Sequence, residues 1–133
     1  MIDPAYVPDV ASEESLARFI LQSGHIRTSS RTLKPDAFMP HPHNELSVTR
    51  HLHATADEIW SVGADIASAT GKTLYGRGDI RASVCLDQQL RVNADPVPDN
   101  PNHTIVVDWP ADKPAQKIIA QEIAATAIFV ATN

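Results

Sequence analysis

The sequence predicts an α+β fold, a two-layer sandwich in which three helices cover one face of a mainly antiparallel sheet of four or five strands. Three segments begin and end on helix signals, and the segments between them alternate apolar and polar residues with the period of two that a strand requires. The chain has 133 residues, 43% hydrophobic and 20% charged, proportions that suit a single globular domain with a core of its own.

Residues 1–11, with Asp3, Asp9 and two prolines, are expected as a short flexible N-terminus. The first helix follows Ser12 as N-cap, with Glu13 and Glu14 in the turn that favours negative charge and Gly24 at its end. Leu16, Phe19 and Ile20 supply its buried stripe. Residues 31–39 form a possible edge strand, weakened by Pro35. A strand over residues 46–53 comes next. The second helix opens on a capping box, Thr55 with Glu58, buries Ile59, Val62 and Ile66, and stops at Gly71. Residues 80–86 and 90–94 alternate and are joined by the short Asp87-Gln88-Gln89 connection, which reads as a hairpin. After the proline-rich loop of residues 95–101, Ile105, Val107 and Trp109 alternate in a last strand. The third helix starts at Asp112 or Lys113 and runs through Ile119, Ile123 and Val130 nearly to the end.

The net charge of −5 argues against non-specific polyanion binding, and the few aromatics leave a single-strand nucleic-acid groove without stacking platforms. A single cysteine, Cys85, points to a reducing compartment, and no stretch has the length and apolarity of a membrane span or secretory signal. The expected setting is cytoplasmic, of bacterial type. Ala69-Thr70-Gly71-Lys72-Thr73 lacks the first glycine of a phosphate-binding loop and reads as a helix end.

Residues 41–53 hold four of the six histidines. If extended, the segment puts His41, His43, His51 and His53 at odd positions with Glu45, Ser47 and Thr49, while Leu46, Val48 and Leu52 turn inward and only Arg50 breaks the apolar edge. The exposed face then gathers Arg81, Ser83, Cys85, Arg91 and Asn93 from other strands. His51 and His53, with Cβ atoms roughly 6.5–7 Å apart on a strand, could share a zinc ion if a further ligand joined them, although no second spaced motif supplies one. They could equally act as acid and base, with Arg81 holding an anionic substrate.

Arg31 and Lys34, in a segment rich in hydroxyls, together with Arg50, His43 and Glu45, are candidates for ligand recognition. The expected function is that of a small non-enzymatic accessory protein. It would bind a protein partner, a second copy of itself or a small anionic ligand through the polar sheet face and the proline-rich loop. The alternative is a small histidine-dependent hydrolase or nuclease-like enzyme on the same face. Neither reading requires a resident cofactor.

Overall fold

A computed structural model describes residues 1–132. It contains β1 (Ser15–Ile20), β2 (Ile26–Arg27), β3 (Thr32–Leu33), β4 (Leu46–Arg50), α1 (Ala56–Thr70), β5 (Gly76–Arg81), α2 (Ala82–Asp87), β6 (Arg91–Ala94), β7 (His103–Val107), α3 (Lys113–Thr126) and β8 (Ile128–Ala131). Six strands form one sheet in the order β6-β7-β4-β1-β5-β8, every pairing antiparallel, while β2 and β3 pair separately. The α+β class, the antiparallel sheet and the number of helices agree with expectation. The strand count does not: the main sheet has six strands.

Two segments read as helix supply the difference. Residues 15–20 are not helical but form a central strand, flanked by β4 and β5, with Leu16 and Ala17 on opposite faces and both fully buried. Such a strand carries apolar residues at odd and even positions alike, which erases the alternation that distinguishes it from a helix. The third helix ends at Thr126, and Ile128–Ala131 then pairs with β5, Val130 opposite Arg77. The expected hairpin is also absent. β5 stops at Arg81, and the next six residues turn into α2, which buries Ala82 and Cys85 three positions apart. Residues 31–39 yield only the two-residue β3, followed by a 3₁₀ turn at Pro35–Phe38.

The helices do not share one face. Leu16, Ile20, Leu46, Val48, Ile80 and Val106, all even-numbered, pack in one core cluster with Cys85 of α2 and Ala120, Ile123 and Ala124 of α3. Helix α1 lies on the opposite, odd-numbered face. Its Gly63 sits so close to Phe19 that an added Cβ would come within 2.7 Å of the ring, and its Trp60 stacks on Arg77 at 4.5 Å. The expected two-layer sandwich is therefore three layers, with the sheet between α1 and the α2–α3 pair. As expected, α1 itself is locally specified. Thr55 and Glu58 satisfy each other's backbone N–H groups, and Gly71 closes the helix in the left-handed conformation at φ 67°.

The first residues are tied to the C-terminal end of β4 and to the start of β7. Ile2 is buried and its N–H donates to Asn102 Oδ1 at 2.9 Å. Arg50, fully buried, donates to the Pro8 and Asp9 carbonyls and forms a two-pronged ion pair with Glu14, both contacts at 2.7 Å. An arginine on the core face is thus neutralised by a carboxylate and two carbonyls from one short segment.

Candidate functional site

Between α1 and the loop of residues 95–101, the odd face of the sheet is left uncovered and forms a cavity of about 480 Å³. Its floor is Ser47 and Thr49 of β4, Phe19 of β1 and His103 of β7. Val62, Ile66 and Ala69 of α1 make one wall, one helical turn apart in pairs, and Val97 and Asn100 make the other. The proline-rich loop is pinned in place from below. Asn100 Nδ2 donates to Thr49 Oγ1 at 3.1 Å, and a Val97–Asn100 bridge closes the loop on itself. His103 is oriented by Asp95, whose carboxylate and carbonyl both reach Nδ1, at 3.1 and 3.0 Å. Only Nε2 is left to meet a ligand.

At the far end of the cavity, β1 and β4 diverge beyond their short pairing. Arg18 fills the fork, donating from Nε to the Ala37 carbonyl at 2.9 Å and from Nη1 to the Ser47 carbonyl at 3.0 Å. Burial pulls its guanidinium down to about 10, so it remains charged at neutral pH. His25, in the 3₁₀ turn after β1, and Lys72, just beyond the α1 cap, line the same end. Burial holds the His25 imidazole below its ordinary range; Asp36 pulls it upward, while Arg18, Lys34 and Lys72 push it further down.

The residues singled out from the sequence lie elsewhere and do not converge. Residues 41–45 form a turn, His41 N–H donating to the Glu45 carbonyl, with His43 and Asn44 in left-handed conformations at φ 57° and 55°. His51 follows the end of β4 and contacts Asp79 Oδ1 at 2.9 Å through Nε2. His53 is exposed in the next turn at φ 57°, so the two histidines do not stand side by side on a strand. Arg81, exposed, donates to the Glu13 carbonyl. Arg31 lies over the Phe129 ring at 5.9 Å, and Lys34 directly precedes the 3₁₀ turn at Pro35–Phe38 without a side-chain bond to it. Arg50 belongs to the buried network with Glu14.

Among the described residues no group of three or more histidine, cysteine or acidic side chains is placed to hold a metal ion. Cys85, expected on the polar face, is fully buried on the core side of α2, and burial pushes its thiol up to about 12, which leaves it unreactive.

Sequence reasoning missed Arg18, His25, Lys72 and His103 as a set. The signal was present only in part. Arg18 is a lone cation inside the apolar run Leu16-Ala17-Arg18-Phe19-Ile20-Leu21, which is where a half-buried functional charge would stand out once the run is read as a strand. No helix among the described residues is long and apolar enough to cross a membrane. Comparison of the chain with protein-family models, with curated proteins and with solved structures found no match.

Proposed function

We propose that this is a non-enzymatic binding protein that holds a small, largely apolar ligand between α1 and the proline-rich loop. One observation carries the reading: a cavity of about 480 Å³, within the size range of small-molecule sites, has walls of Val62, Ile66 and Val97 and a floor of Phe19 with a few fixed polar groups. The broad polar sheet face expected for a protein partner is reduced to this floor, because α1 covers the part of the odd face over β1 and β5. Ser47, Thr49 and His103 then act as orienting groups, and the loop, held by Asn100, as the second jaw.

Phenylnaphthylamine, a neutral apolar dye that fluoresces when shielded from water, tests the reading. Saturable one-to-one binding is expected. Placing tryptophan at the exposed wall residue Ala69, or at Val62, should fill the space and weaken binding by at least about tenfold while leaving the unfolding transition in place. Non-saturable dye uptake, or equal binding by Ala69→Trp and Val62→Trp, would overturn it.

A histidine-dependent hydrolase is the second reading, and one observation favours it: Asp95 fixes His103 beside the hydroxyls of Thr49 and Ser47 on the cavity floor. Turnover of p-nitrophenyl butyrate that disappears in His103→Ala would establish it in place of simple binding. The binding reading expects no difference from buffer.

A further inference from the structure

Arg18 is set apart from the other arginines by where it lies. Ion pairs among the described residues engage Arg50, Arg77 and Arg91; Arg18, Arg27, Arg31 and Arg81 are in none of them, and of these four Arg18 alone lines the cavity beside α1. Its two protein hydrogen bonds go to neutral carbonyls, which leaves Nη2 without a protein partner among the described residues. Arg18 is half-buried, with its free side open to the cavity, and carbonyl dipoles alone replace a cation's hydration poorly, so that side suits a counter-charge. His25 and Lys72, likewise outside every ion pair among the described residues, line the cavity beside Arg18.

The surrounding charges reinforce this. Those acting most on His25 are Asp36, Arg18, Lys34 and Lys72, and the one acid among them is held by Lys117 Nζ at 2.7 Å. Asp65 and Asp99 also line the cavity, on the α1 wall and on the proline-rich loop. The fork end is therefore cationic, and the acids belong to the two jaws.

We propose that the ligand carries a compact anionic head, a carboxylate or a phosphate monoester, seated on Arg18 with His25 and Lys72, and an apolar body lying along Phe19, Val62 and Ile66. The assignment rests on the cavity being a ligand site and adds the chemical class of what enters it. Arg18 supplies a directional donor through Nη2, Lys72 a mobile charge from the rim, and His25 a third polar group whose protonation an incoming anion favours. Because Arg18 is rigidly held by two carbonyls before the ligand arrives, little ordering accompanies binding at the head.

Displacement of bound phenylnaphthylamine by octanoate, octyl phosphate and octanol tests the class and separates its two sources. At least one of the two anions should displace the dye at a concentration at least about tenfold below that of octanol. The better of the two anions identifies the head. His25→Ala combined with Lys72→Met, both at partly or fully exposed positions, should bring the anions and octanol to within about threefold of each other while the dye still binds. Arg18→Met, if folded, should do the same.

Octanol equal to both anions in the parent protein, with the dye still bound, would overturn the head assignment and leave the cavity reading standing. An anion preference unchanged in the double variant would also overturn it. Absence of dye binding in the parent protein would remove both readings together.

Discussion

Replacing Arg50 with methionine is expected to destabilise the fold by about 3–5 kcal/mol, because it leaves a carboxylate facing a buried and vacated partner. Arg50 is fully buried and the Glu14 side chain is only 9% exposed, so water cannot take over the lost contacts without opening the N-terminal segment. The Pro8 and Asp9 carbonyls lose their donor at the same time. Urea unfolding of Arg50→Met, Glu14→Gln and the double variant measures the effect. The double variant should be more stable than Arg50→Met alone, since it removes the uncompensated charge; a loss under about 1 kcal/mol in Arg50→Met would show that the pair contributes little.

The pH dependence gives an independent reading. Burial raises the Glu14 carboxyl, but the bond from Arg50, the bond from the Ala11 N–H and the charges of Arg50 and His53 together hold it below its ordinary value of 4.5. A carboxyl depressed in the folded state contributes stability above its unfolded value, and that contribution is lost as pH falls through the folded one. The parent protein should therefore lose this increment on acidification below about pH 4.5. In Arg50→Met the two contributions of Arg50 vanish while the Ala11 bond and the His53 charge remain, so the carboxyl is held down less and the loss of stability on acidification should be smaller than in the parent.

The second large effect is expected at Asn102, which is fully buried and joins three separate segments. Its Oδ1 accepts from Ile2 N–H, and its Nδ2 donates to the Arg50 and Leu52 carbonyls at 2.7 and 2.9 Å. Asn102→Leu keeps much of the volume and orphans all three backbone groups. At about 1–3 kcal/mol for each unsatisfied buried group, partly relieved by water at the edge, the loss should reach about 3–5 kcal/mol.

Asn102→Asp is the sharper test. It retains the acceptor for Ile2 but turns an oxygen toward two carbonyls, so it should be at least as damaging at neutral pH. The Asn102 backbone N–H donates to Asn100 Oδ1, and Asn100 anchors the loop to Thr49, so a shift of the chain at position 102 once its side-chain bonds are lost reaches the loop. Both variants should accordingly weaken phenylnaphthylamine binding as well as the fold. An Asn102→Leu protein with unchanged urea midpoint would remove this residue from the framework of the cavity.

Helix α1 was fully legible because everything that specifies it is local. Thr55, Glu58 and Gly71 act within a few residues of the segment they delimit. The inward turn of Leu46 and Val48 was legible for the same kind of reason, since parity is a property of the strand itself. Arg50 could not be read, because its meaning depends on Glu14, 36 positions away. The histidine cluster failed on backbone conformation. Left-handed φ angles at His43, Asn44 and His53 take the chain out of the extended form at both ends of β4; asparagine and histidine tolerate that conformation better than most residues, but without a glycine the signal is weak. The cavity was invisible for a further reason: its cationic end joins a strand read as a helix, a turn read as a helix stop, and a lysine beyond a cap.

The order of the sheet also sets how the molecule comes together in time. Leu16 must find Arg50 and Ile80, Leu46 must find Val106, and Gly78 must find Phe129; only β6 and β7, among the sheet neighbours, follow one another in the chain. Closing such long loops costs entropy before any pairing rewards it, which slows assembly far more than it weakens the finished state. A chain of this kind reaches its structure through distant encounters around β1, and until they occur the rigid wedge made by Arg18 has no fork to occupy.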